Sequence, residues 1–271
     1  MTDHQLREIG LNPGLLLQAR YRIIRELGRG PASQVCLAQD HHQGDLVALK
    51  AMLLSPRERL RVRRDVMAAW EIDHPHVIPV HGCFEVGDRI VVAMGYVDGP
   101  DLESLVRSGP LSADQAAAIG RGVALGLQAA HRHGVLHHHV TPRNILVGPE
   151  VRACLGDFGS SGISPGSSAS GFGAPEVAGG QRPDGRGDIF GLGMSLFFAV
   201  TGRLPERSRP DQAPLAAADG YRPSRLRPTV PAWFDDAIAI ATAALPADRF
   251  SSPGRLAAAL APNTSLLGAL R

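Results

Sequence analysis

Four short stretches hold residues whose types and spacing suit phosphate chemistry. "LGRGPASQV", residues 27–35, is a glycine-rich turn between two strand-like runs. Glycine lets the backbone approach a phosphate and present N–H groups to it. Twelve residues beyond Val35, "VALK" puts Lys50 on another strand-like run, where an ammonium group suits the α- and β-phosphates of a nucleotide. "LGDFGSS", residues 155–161, supplies Asp157 behind a short strand, and hard cations such as Mg2+ prefer oxygen ligands. "GVLHHHVTPRNILVG", residues 134–148, gathers three consecutive histidines, Thr141 and Asn144 in one loop. Each stretch alone has a plain reading as a hairpin, an exposed lysine or an aspartate turn. Their order and spacing, continued by "GAPE" (173–176), "GDIFGLG" (187–193) and "PADRF" (246–250), say more.

Composition narrows the classes of function. The 271 residues are 44% apolar, enough to bury a substantial core, and the net charge of +2 does not by itself imply nucleic-acid or membrane binding. The longest apolar run, "FGLGMSLFFAV", falls short of the roughly 18 residues of a spanning helix. "MTDHQLREIG" lacks the apolar stretch of a signal peptide. Cys36, Cys83 and Cys154 are odd in number and widely spaced, which points to reduced thiols and a cytoplasmic setting. Lys50 is the only lysine; every other basic residue is arginine. Arg-rich coding explains why lysine is scarce, but not why the last one stands on that strand.

Elements to position these groups are legible. "YRIIREL", "SQVCLAQD", "LVALKAML", "VIPVHGCFEV" and "RIVVAMGYV" read as strands. "SPRERLRVRRDVMAAWEI" reads as a helix with Leu60, Val66, Met67 and Trp70 facing inward and its arginines solvated. After "VDGPD" the chain turns helical. One helix opens on a Ser112/Gln115 capping box and stops at Gly134; three later ones are carried by "GDIFGLGMSLFFAVTG", "PAWFDDAIAIATAAL" and "SPGRLAAALA". The expected division is a lead-in at 1–20, a strand-rich lobe at 21–97, a helical lobe at 98–262 and a tail at 263–271.

From about Tyr21 to Leu260 the chain resembles a protein kinase domain of the eukaryotic-like serine/threonine type found in bacteria. The resemblance implies an α+β, two-lobed fold with ATP between a β-rich N-lobe, bearing one main helix, and a helical C-lobe. It assigns Gly28 and Gly30 to the phosphate-facing turn, Val35 and Ala48 above the adenine and Leu146 below it. Met94 becomes the gatekeeper, Gly95, Tyr96 and Val97 the hinge, and Asp101 the ribose contact. Lys50 and Asp65 match the strand–helix ion pair, with aspartate standing where glutamate is usual. Asn144 and Asp157 match the metal-holding positions. Phe158 and His137 match a hydrophobic spine, Glu176 and Arg249 a structural ion pair, and Asp188 the residue that braces the catalytic loop.

The departures cluster. His139 stands at the catalytic aspartate, Thr141 at the γ-phosphate lysine, and Ala169 at the threonine that bonds both, so one hydrogen-bonded unit is altered together. His138 replaces the arginine that receives an activation-loop phosphate, and Pro31 removes a backbone N–H from the glycine-rich turn. The expectation is a catalytically impaired pseudokinase that binds ATP, with Mg2+, and acts as a regulator or scaffold through an unidentified protein partner. The alternative is an unconventional kinase with His139 as base, since imidazole titrates near pH 6.5. A reused phosphate site for another transfer reaction and a metal site built from His131, His133 and residues 137–139 are weaker readings.

Overall fold

The computed structural model describes residues 10–158, 171–178, 184–205 and 220–261. These fall into two compact units. One holds residues 10–73, 78–97 and Phe158; the other holds 74–77, 98–157 and the described residues from 171 onward.

The first unit is an antiparallel sheet of β1 (Leu16–Leu17), β2 (Tyr21–Gly30), β3 (Ser33–Asp40), β4 (Leu46–Leu53), β5 (Val80–Val86) and β6 (Arg89–Gly95), in the order β1-β2-β3-β4-β6-β5. Alternation along the strands sorts the faces. Val47, Leu49 and Ala51 of β4 join Cys36, Ala38, Val91 and Ala93 in one core, so Ala48 and Lys50 point the other way. Residues 10–20, read from sequence as a lead-in, contribute to this core: Leu11 and Leu17 are buried in it, and the Leu11 N–H donates to Gln34 Oε1 at 2.7 Å.

Helix α1 (Pro56–Ala69) starts where the sequence puts it, at a capping box between Ser55 and Glu58 with proline in the first turn. Its inward face differs from expectation. Val62, Val66 and Ala69 are buried, whereas Leu60, Met67 and Trp70 are 68%, 60% and 54% exposed. The helix carries two apolar stripes roughly 100° apart, and the stripe with the smaller side chains is the inward one.

The second unit is mostly helical: α2 (Leu102–Arg107), α3 (Ala113–Arg132), α4 (Pro175–Ala178), α5 (Gly185–Thr201), α6 (Ala232–Ala241) and α7 (Pro253–Ala259), with a hairpin of β7 (Ile145–Val147) and β8 (Ala153–Leu155). Helix α2 was not read from sequence; Asp101 caps it by accepting from the Ser104 N–H at 2.7 Å. Helix α5 is buried along nearly its whole length, which explains why its sequence shows no polar face. Gly99 sits where a Cβ would lie 2.0 Å from the Val147 carbonyl oxygen, so only glycine lets the segment after the expected hinge lie against β7. Among the described residues no helix is long and apolar enough to cross a membrane.

Candidate functional site

In the strand-rich unit, strand register brings the expected nucleotide positions onto one face. Val35 pairs with both Gly28 and Lys50, Ala48 pairs with Met94, and Gly30 closes the turn opposite Ser33. Residues directly opposite in antiparallel strands share a face, and residues two apart along a strand share it as well. Gly28, Gly30, Val35, Ala48, Lys50 and Met94 therefore line one surface. Pro31 occupies the turn, and the Leu53 N–H fixes the turn's far side by donating to Ala32 O at 2.9 Å. Gly95 N–H donates to Pro79 O at 2.9 Å, which anchors the chain just before Tyr96 and Val97. Asp65, expected as the Lys50 partner, is engaged on its own helix: Arg64 Nη2 lies 2.9 Å and Arg61 Nε 3.7 Å from its carboxylate.

In the helical unit, the altered loop is built around one buried carboxylate. Asp188, projecting from the first turn of α5, accepts from the N–H groups of His137 at 2.9 Å and His138 at 2.6 Å, and pairs with His131 Nε2 at 2.8 Å. Burial opposes ionisation of Asp188, yet these partners outweigh it and hold the carboxyl below its ordinary range. The bracing tolerates a left-handed backbone at His138, φ +63°, a conformation histidine adopts more readily than most residues.

His137 is fully buried and bonded at both ring nitrogens. Nε2 lies 2.8 Å from Gly156 O, and Nδ1 lies 3.2 Å from the His139 backbone nitrogen. A donor facing Nδ1 fixes the neutral tautomer with hydrogen on Nε2. Burial pushes the pKa of His137 down, consistent with that neutral form. Gly156 completes the link, because its own N–H donates to Asn144 O at 2.9 Å. Backbone hydrogen bonds thus place Asn144 beside the segment leading to Asp157, whose φ is +71°.

Asn144 donates its amide nitrogen to His139 O at 2.9 Å, leaving the amide oxygen as its remaining acceptor group. An amide oxygen and the Asp157 carboxylate form a hard donor set of the kind Mg2+ takes together with phosphate and water. Those residues fit the cation that the family uses. Thr141 is 5% exposed and leads into the short turn Pro142–Asn144. An uncharged, buried hydroxyl therefore stands where a γ-phosphate cation is expected. Leu146 lies on β7 opposite Cys154, and an isolated bridge joins it to Asp101. Asp101 is thus near Leu146, with one carboxylate oxygen committed to capping α2. Ala169 lies outside the described residues, as does most of the serine-rich loop.

The five histidines do not converge. His131 faces Asp188, His133 Nδ1 bonds Ala129 O, and His137 faces Gly156. Among the described residues no group of three or more His, Cys, Asp or Glu side chains is arranged to hold a metal. The Glu176–Arg249 pair is bidentate, both contacts at 2.7 Å. Arg249 also donates to the carbonyls of Arg186, Ala243 and Ala244, so all five of its N–H groups have acceptors. Sequence reasoning found the pair but not these carbonyl acceptors, nor Gly156 as a bridge, since backbone carbonyls leave no residue-type signal.

Residues 21–226 match the protein kinase domain family, and the chain belongs to it. It is 37% identical over 259 residues to serine/threonine-protein kinase PknD of Mycobacterium tuberculosis, covering 88% of this chain and 39% of that protein. It is 35% identical over 257 residues to PknE of Mycobacterium bovis, covering 88% of this chain and 45% of that one. The chain thus spans less than half the length of these curated relatives. A crystal structure of the Mycobacterium tuberculosis PknI kinase domain, in a singly substituted form, superposes with a TM-score of 0.78 at 30% identity, covering 93% of this chain and 98% of that one. The strand-rich and helical units together constitute the α+β protein-kinase fold.

Proposed function

We propose that this chain is a catalytically impaired kinase-family protein that binds ATP with Mg2+ and acts on a partner protein through its shape. The carrying observation is the selective state of the loop. Asn144 is held by the His139 carbonyl and linked through Gly156 to the Asp157 segment, while imidazole and a buried threonine occupy the base and γ-phosphate positions. Bound Mg2+ would supply charge neutralisation at the phosphates. Kinase catalysis is mostly positioning and charge stabilisation. An imidazole offers no negative charge opposite an attacking hydroxyl, and Thr141 offers no positive charge for a developing phosphoryl anion. The residues left intact are those that bind.

Nucleotide would be held by the face carrying Val35, Ala48, Lys50 and Met94, by the hinge at Tyr96 and Val97, and by Leu146 and Asp101. Binding favours whichever arrangement of the protein holds nucleotide better, and a partner can read that arrangement. Support for nucleotide comes from family membership and from a solved structure, Rad53 1–466 in complex with AMP-PNP, which superposes with a TM-score of 0.73 at 24% identity over 88% of this chain and 64% of that one.

Thermal denaturation with ATP and Mg2+ tests the binding half. The melting temperature should rise for the native chain and stay unchanged for Lys50→Ala; no rise for the native chain refutes nucleotide holding. Radiolabelled γ-phosphate tests the chemical half. No incorporation into the chain itself or a generic protein substrate is expected. Incorporation lost in His139→Ala would make this an unconventional kinase instead.

A further inference from the structure

Residues 10–17 lie on the sheet face opposite Lys50 and are tied to the glycine-rich turn through one buried side chain. Gln34, next to Val35 on β3, is 2% exposed and stands opposite Ala51 of the core face. Its amide meets the Leu11 peptide as a neighbouring strand would. Oε1 accepts the Leu11 N–H at 2.7 Å, and Nε2 donates to Leu11 O at 3.4 Å. The second Nε2 hydrogen goes to Glu26 Oε2 at 2.7 Å. Glu26 in turn accepts from Arg29, from Nη2 at 2.6 Å and from Nε at 3.2 Å. The Arg29 bonds first, and the Gln34 bond second, hold the Glu26 carboxyl below its ordinary range, so it is ionised at neutral pH.

This relay reaches a part of the sheet that little else secures. Strand β1 pairs with β2 at Tyr21 and Arg22, so beyond Ile23 the one strand partner of β2 among the described residues is β3. The residues of β2 from Ile24 to Arg29 are exposed, and register shifts at Ile24 and Leu27 interrupt the ladder. Irregular edge ladders with few buried contacts are the first to open. Strand β3, by contrast, is held by β4 as far as Ser33. Glu26 and Arg29 therefore tie the exposed side of the hairpin to Gln34 on the held side, and the Leu11 peptide fixes the Gln34 side chain. Leu11 is itself buried in the core. The segment is secured further along by the Gly14 N–H on Ile23 O and the Ile23 N–H on Leu15 O, both at 2.9 Å. Arg29 stands between Gly28 and Gly30, the two phosphate-facing glycines.

We infer that residues 10–17 clamp the glycine-rich hairpin from behind, with Gln34 as the positioning residue that carries the hold, and that this clamp sets how tightly the turn receives phosphates. A turn held in place before binding loses less conformational freedom when its N–H groups meet a phosphate. Pro31 supplies no N–H, so binding relies on the placement of the groups that remain. The consequence for phosphates rests on the nucleotide reading given above; the hold on the hairpin does not.

Amide hydrogen exchange on the ATP-free chain tests the clamp, and calorimetric titration with ATP and Mg2+ tests its consequence. Gln34→Met keeps a buried side chain of similar length and removes the bonds to Leu11 and Glu26. Leu11→Asp removes the anchor of the segment without touching the hairpin. In both variants residues 25–34 should exchange about threefold to tenfold faster, while β4 and β6 keep native rates under Gln34→Met. ATP should bind about threefold to tenfold more weakly. Gln34→Glu sets a second carboxylate against Glu26 and should weaken binding likewise. Adding Glu26→Gln should restore it, a rescue that a merely structural role for position 34 would not produce. Native exchange rates at residues 25–34 in both variants overturn the inference. So does acceleration spread evenly over the sheet in Gln34→Met, which would make the effect one of global stability. Faster hairpin exchange with unchanged ATP affinity, in a chain whose native form binds ATP, overturns the link to phosphate. If the native chain binds no ATP, the nucleotide reading fails, and the exchange result alone decides the clamp.

Discussion

Replacing Asp188 with asparagine changes one atom and should cost the helical unit several kcal/mol. The carboxylate receives two backbone N–H groups, from His137 and His138, and pairs with His131, all within 2.6–2.9 Å. Asparagine keeps one acceptor oxygen and turns the other atom into an NH2 group facing donors. At least one N–H of the loop then loses its acceptor in a buried setting. Hydrogen bonds to charged groups contribute about 1.5–3 kcal/mol each, and breaking a buried charge network by removing one partner costs about 3–5 kcal/mol. Against a total stability of about 5–15 kcal/mol, this is a large fraction. Urea denaturation of Asp188→Asn at neutral pH should show a midpoint lowered by about 1 M or more. A loss below about 1 kcal/mol would refute the argument that this carboxylate holds the loop. The acid side supplies a second reading of the same group. Its folded pKa is lowered, so its contribution is complete above the ordinary carboxylate pKa and fades as pH falls through the folded value. The native chain should lose that contribution in acid, and Asp188→Asn should show a shallower loss.

Asp40, bonded by Arg20 Nε and Nη2, has its carboxyl held down to about 2. Asp40→Asn should cost about 1–2 kcal/mol at pH 7, reduced from the full linkage value because Arg20 is partly in water; the difference from native in urea titrations should vanish as pH falls towards 2. His137, neutral and buried, is complete in its contribution above the usual histidine pKa and loses it as pH falls, so stability should already decline below about pH 6.5. A His137→Phe variant, followed by thermal melts across roughly pH 5–8, should lack that early decline, whatever its absolute stability. Arg249→Met leaves Glu176 buried without its partner and should cost about 3–5 kcal/mol, whereas pairing it with Glu176→Met should recover part of the loss; a double variant no better than the single one in urea titrations would contradict this. Gly99→Ala drives a Cβ into the Val147 carbonyl and should lower the melting temperature by several degrees, with an unchanged midpoint counting against the close approach.

Sequence alone determined the family and most elements. Strands read from alternation, the helix start read from Ser112/Gln115, and the solitary Lys50 all follow from local rules of period and capping or from the sequence itself. His139 and Thr141 at their motif positions were equally legible, because residue type at a motif position needs no coordinates. Local rules failed where two local answers were equally good. Helix α1 has two apolar stripes, and only the packing of Val62, Val66 and Ala69 in the folded unit decided that Leu60, Met67 and Trp70 stay outside. Asp101 had a capping role that its side chain alone does not announce. The convergence of Asp188 with His131, His137 and His138, and of Arg249 with three carbonyls, joins residues 50 or more apart for Asp188 and uses backbone atoms that carry no sequence signature. Residue identities thus determine which groups this chain presents at each motif position, and tertiary packing settles which of those groups are held and which face solvent.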